Sequence, residues 1–112
     1  VATYHEVLDA LGDPTRRAIV ERLADGPLPV GRLADGLPVS RPAVSQHLRV
    51  LKNAGLVRDE AVGTRRLYRL DPRGIATVRG FVEKFWTHAL AAYKDAVERP
   101  VERPVEGTEE ES

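Results

Sequence analysis

The chain of 112 residues is the size of one domain, too short for two independent hydrophobic cores. None of its apolar runs approaches the roughly 20 residues that a membrane-spanning helix needs. It has no Cys, which excludes disulfides, thiolate nucleophiles and thiolate metal sites together and agrees with a reducing compartment. The formal net charge is zero but unevenly spread: residues 98–112 carry six Glu against Arg99 and Arg103, whereas between Arg41 and Arg79 nine Lys and Arg stand against Asp59, Glu60 and Asp71. No basic-then-apolar leader opens the chain, so the expected compartment is the cytoplasm.

In chain order, Val7, Leu8 and Leu11 at helical spacing predict a first helix over about Tyr4 to Leu11, ended by Gly12. Asp13-Pro14 is a start signal, because the Asp side chain accepts from free amides of the first turn and Pro is pre-set for it. The second helix then runs to about Ala24 and buries Ile19, Val20 and Leu23, and the run DGPLP (Asp25 to Pro29) breaks it. A short third helix is expected over Val30 to Asp35, with Leu33 and Ala34 inward. Ser40 caps a fourth, about Arg41 to Ala54, on which Val44, Leu48 and Leu51 share one face and which Gly55 stops in the left-handed conformation. LVRDEAVGTRRLYRL (Leu56 to Leu70) reads as two strands turning at Gly63, with Tyr68 and Leu70 alternating with Leu67 and Arg69 so that one strand face can pack on the body while the other stays wet.

A final helix is predicted over about Arg73 to Arg99. It carries an apolar heptad, Ile75, Val82, Ala89 and Ala96 at one position and Val78, Phe85 and Ala92 at the other, flanked by Trp86 and Tyr93. Residues 100–112 repeat VERP and turn acidic, with too little apolar content to pack, so the expected division is a domain over 1–99 and a disordered acidic tail over 100–112.

Short helix, turn, second helix and two-stranded ribbon make a winged helix-turn-helix, so the predicted fold class is mainly α: four helices, a β-hairpin wing and a long C-terminal helix. In that motif the second helix lies in the DNA major groove with its early residues toward base edges. Opposite the apolar stripe of the fourth helix stand Arg41, Ala43, Ser45, Gln46 and Arg49, with Ser40 and Pro42 at its leading end. These side chains suit contact with bases, since Arg bonds guanine bidentately, Gln pairs with adenine, Ser is permissive and Ala touches a thymine methyl. Arg65 and Arg66 at the hairpin tip would reach the adjacent minor groove or phosphates, and phosphate contacts set register and salt-dependent affinity.

The runs LGDPTRRAIVERLADGPLPVGRLADGLPVSRPAVSQHLRVLKNAGLV and GTRRLYRLDPRG resemble the ArsR (arsenic-repressor-like) winged helix-turn-helix regulators, particularly a branch with FW in the last helix. The resemblance covers about Tyr4 to Tyr93 and implies a homodimer that represses by occupying operator DNA, paired through its first and last helices. The expected interface is Val7, Leu8, Leu11, Val78, Val82, Phe85, Trp86, Ala89 and Tyr93. The heptad on the last helix points the same way, since its aromatic residues exceed what one side of a small body buries.

Metal sensing, known in that family, finds little support in these residues. Thiolate sites are impossible, and His88 has Lys84, Phe85, Ala91 and Ala92 one turn away, with no second ligand. His5 and Asp9 are one turn apart, yet the plainer role for His5 and His88 is that of polar residues near a dimer seam. His47 is expected to hydrogen-bond a neighbouring backbone group. No metal and no cofactor is expected, and the sequence specifies no small-molecule effector. Arg79, Lys84 and Lys94 read as solubilising. No nucleophile with its base, ligand cluster or phosphate-gripping glycine loop is present, so an enzyme is not expected. RNA binding lacks its aromatic stacking platform. The remaining alternative is a winged-helix module for protein contact, against which the basic Arg41–Arg79 segment speaks.

Overall fold

A computed structural model describes residues 3–99; the tail over 100–112, for which disorder is expected, lies outside the described residues. The order is α1 (Tyr4–Ala10), α2 (Pro14–Leu23), β1 (Leu28–Pro29), α3 (Val30–Asp35), α4 (Arg41–Asn53), β2 (Val57–Val62), β3 (Arg65–Leu70) and α5 (Pro72–Glu98). Contacts within the chain fall into two units that divide between Phe81 and Val82.

In the first unit, α1 starts on a capping box: the Thr3 hydroxyl accepts from the Glu6 amide, and the Glu6 carboxylate accepts from the Thr3 amide. Its far end is satisfied by the next helix, because Arg16 Nε donates to the Ala10 carbonyl at 2.6 Å and Arg17 Nη1 to that of Leu11 at 2.7 Å. Asp13 caps α2 by accepting from the Arg16 amide at 3.0 Å, with Pro14 at the first helical position. Arg22 on α2 donates to the carbonyls of Leu33 and Arg32, which fastens the end of α3.

The core gathers Val7 and Ala10 from α1, Ile19 and Leu23 from α2, Leu33 from α3, Val44, Leu48 and Leu51 from α4, and Ala54, Leu56 and Val57 after it. The predicted inward residues Val20 and Ala34 lie half-buried against it. Burying each Val or Leu stripe residue of α4 contributes about 1.5–3 kcal/mol, so this stripe holds the helix to the body. Gly55 takes φ 80°, the expected left-handed stop.

The sheet has three strands in the order β1-β3-β2, all antiparallel. β1 was not expected: Leu28 and Pro29 inside the predicted break pair with Tyr68 and Leu67. β3 is therefore the central strand, and neither of its faces is the wet one expected, since Leu67 and Arg69 are half-buried like Tyr68 and Leu70. The pairing Val62↔Arg65 leaves Gly63-Thr64 as a two-residue turn, with Gly63 at φ 64°.

The hairpin returns to the body where the Asp71 amide donates to the Leu56 carbonyl at 2.8 Å. Here α5 begins with Gly74 against the Gly55–Leu56 backbone; a Cβ on Gly74 would stand 2.0 Å from the Gly55 carbonyl oxygen, so only glycine fits. Ile75 and Val78 pack on the core from this first part of α5. The second unit continues α5 from Val82 onward. No helix among the described residues is long and apolar enough to cross a membrane.

Candidate nucleic-acid interface

The buried stripe of α4 decides what its other side presents. Val44, Leu48 and Leu51 are closed off, while Arg41, Pro42, Ser45, Gln46 and Arg49 are exposed and Ala43 is half-buried. Ser40 is exposed, but its hydroxyl is already engaged, accepting from the Ala43 amide at 3.3 Å as the helix cap. Between α4 and β3 runs a groove of about 410 Å³, lined by Ser45, Leu48, Arg49, Lys52, Asn53 and Tyr68. The wing's Tyr68 thus stands beside the polar side of α4, a juxtaposition that the sequence reading missed because the two lie far apart along the chain.

The two arginines of the hairpin tip differ. Arg65 is exposed at the turn and, like Arg41 and Arg49, makes no ion pair among the described residues. Arg66 is exposed too, but its guanidinium is already engaged: its Nη1 donates to Asp59 Oδ2 at 2.8 Å. The other oxygen of Asp59 receives Lys52 Nζ from α4, also at 2.8 Å. These bonds, that from Lys52 foremost, hold the Asp59 carboxyl below its ordinary value against the opposing effect of burial. The other two acids of the basic segment are also paired, Glu60 with Arg69 at 2.7 Å and Asp71 with Arg73 at 3.3 Å. Asp71 is held low chiefly by the Arg73 amide and then by the Arg73 side chain.

His47 corrects another expectation. Its partners are side chains of α2 and its cap, not a backbone group: Arg16 Nη1 lies 3.3 Å and Asp13 Oδ2 3.9 Å from His47 Nδ1. The cap of α2 therefore also touches α4. The Arg16 amide, with His47 and Arg16 side-chain charge adding to it, lowers the Asp13 carboxyl. Among the described residues no three His, Asp or Glu side chains converge on a point where a metal would sit. His5 stacks on Tyr4 at 4.6 Å between ring centroids, and Tyr4 in turn on Phe81 at 5.6 Å.

For the expected pairing surface, Val7 needs correction: at 1% exposure it is enclosed in the protomer's own core. Leu8, Leu11 and Val78 are half-buried. In the second unit Val82, Phe85, Trp86 and Tyr93 are exposed and Ala89 is half-buried, and the sequence reading missed two more large apolar residues beside them, Leu90 and Val97. Phe85, Trp86, Leu90 and Tyr93 leave 56–69% of their surface open. At 100° per residue Trp86, Leu90, Tyr93 and Val97 form one stripe, a spacing legible in the sequence but lying off the assigned heptad positions.

Comparison with known proteins agrees with this geometry. A family model described as a helix-turn-helix domain matches residues 11–60. The HTH-type transcriptional regulator Rv2034 of Mycobacterium tuberculosis is 63% identical over 89 residues, which is 80% of this chain and 83% of the relative. Among solved structures, an ArsR-like transcriptional regulator from Rhodococcus sp. RHA1 is 32% identical with a TM-score of 0.65, the match covering 88% of this chain and 97% of that one. The homodimeric winged helix-turn-helix DNA-binding domain Mb0332 from Mycobacterium bovis, described as a possible ArsR-family regulator, is 26% identical with a TM-score of 0.61 over 88% of this chain and 87% of its own.

Proposed function

The chain belongs to the ArsR family of winged helix-turn-helix transcriptional regulators, and we propose that it acts in the cytoplasm as a homodimeric repressor occupying an inverted-repeat operator in double-stranded DNA. The observation that carries this reading is the division of α4: a buried apolar stripe on one side, and Ser45, Gln46 and Arg49 exposed on the other. α4 enters the major groove, where Gln46 and Arg49 meet base edges, with Arg41, Pro42, Ala43, Ser45 and Ser40 at its leading end. Arg65 at the wing turn takes phosphate and contributes affinity without sequence preference.

Pairing uses the apolar stripe of α5 from Val82 to Val97, whose exposed aromatic side chains form the kind of patch that protein contacts cover. A two-fold dimer sets two copies of α4 on successive major grooves, so the half-site centres fall about 10 bp apart. Being transcriptional regulators, the relatives give no support to an enzyme.

Selecting bound fragments from a random duplex pool with purified protein tests binding, symmetry and spacing at once. An inverted repeat with half-sites about one turn apart is expected. Recovery of no enriched sequence, or of a single unrepeated half-site, would falsify the dimeric operator reading.

A further inference from the structure

Asp59 lies in the middle of β2, opposite Tyr68 and diagonal to Arg66 on the same face of the ribbon. Its side chain is 8% exposed, and each of its two oxygens holds one cation, Lys52 Nζ on Oδ1 and Arg66 Nη1 on Oδ2. Lys52 belongs to the last turn of α4 and Arg66 to the wing, so one carboxylate joins the two elements that face DNA. Lys52 also lines the groove between them. The trio carries a charge of +1 where two cations alone would carry +2, a poor arrangement for gripping phosphate and a good one for fixing an angle. Charge-assisted bonds of this kind are short and directional. Nothing comparable restrains Arg41, Arg49 or Arg65, which make no ion pair among the described residues.

We propose that Asp59 is a specificity-setting positioning residue: by holding Lys52 and Arg66 it withholds both cations from phosphate and fixes the wing against the end of the recognition helix. DNA is then read at one wing-to-helix angle, and non-specific attraction is kept low, an assignment that rests on DNA binding by α4 and the wing. Specific binding depends on the ratio to non-specific binding, so a carboxylate that weakens the latter sharpens the former.

The test measures affinity by fluorescence anisotropy over about 50–200 mM salt for two duplexes, one of mixed sequence and one recovered by the wild-type protein from a random pool. Asp59→Asn keeps the shape and removes the charge. With two cations released, the salt slope on the mixed duplex is expected to steepen by about 1–2, at about 0.9 per phosphate gained. Preference for the recovered duplex should fall by about tenfold, on the scale of one mismatched base pair. An unchanged slope, or equal weakening on both duplexes, overturns the proposal and leaves DNA binding standing. A wild-type protein that binds neither duplex removes both.

A second arm leaves Asp59 in place and is independent of how Asp59→Asn folds. Lys52→Gln and Arg66→Gln should each change the slope by less than half of the change of about 0.9 expected for Arg65→Gln. If all three replacements act alike, Asp59 withholds nothing.

Discussion

α4 and the later part of α5 are both amphipathic helices, yet the protomer treats their apolar sides in opposite ways. On α4 the side chains of Val44, Leu48 and Leu51 are closed inside the core, so function is left to the polar side. On α5 beyond Phe81, Phe85, Trp86, Leu90 and Tyr93 stay open, and it is this apolar side that we propose as the pairing surface. An apolar stripe states that a helix has a partner. Whether that partner is the same chain or a second copy depends on where the helix falls in the fold.

The contrast is broken most forcefully by truncating one residue on each helix. Leu48→Ala is expected to lower unfolding free energy by about 2–5 kcal/mol, seen in a denaturant titration, because it leaves a cavity in a packed core. Trp86→Ala should act instead on assembly, weakening dimerisation by about 2–4 kcal/mol as a central aromatic anchor does. Sedimentation across protein concentrations checks this. If Trp86→Ala leaves association unchanged while lowering monomer stability as much as Leu48→Ala, the two helices do not differ in the way described.

On the polar side, Gln46→Ala is expected to change base preference by about 1–3 kcal/mol at one position of each half-site. Arg65→Ala should weaken all duplexes alike and flatten the salt slope by about 1. Competition binding on a panel of single-base variants separates the two outcomes, and exchanged phenotypes would reverse the roles given to helix and wing.

The smallest effect is pH dependence. Asp13, Asp59 and Asp71 have native carboxyl values below the ordinary ones, so the unfolded chain binds more protons on acidification. Their contribution is complete above about pH 3.9, the unfolded value, and is lost as pH falls through the lower native values. Thermal unfolding should therefore hold steady as these groups stay ionised and decline only in that acid window. In Asp59→Asn the decline should be shallower; an identical profile would mean that the Lys52–Asp59–Arg66 trio contributes nothing to folding.

Much of the fold was legible because its signals are local. Asp13-Pro14, Ser40 and Gly55 act through the backbone of their own helix ends, and the i, i+4, i+7 spacing of Val44, Leu48 and Leu51 is fixed by helix geometry. Local rules likewise gave the Gly63 turn, the resemblance of residues 4–93, and the polar set of α4. Leu90 and Val97 apart, only the tertiary structure decided the rest, because those missing pieces join residues brought together by the fold. Leu28 and Pro29 become a strand only when β3 offers its edge, and Val7 leaves the pairing surface because the core closes over it. His47 meets Asp13 and Arg16 instead of its own backbone, and Arg66 turns to Asp59, which also holds Lys52. Composition counts Lys52 and Arg66 as positive charge for DNA, whereas ion pairing is settled by distance, and distance across a fold is set by packing.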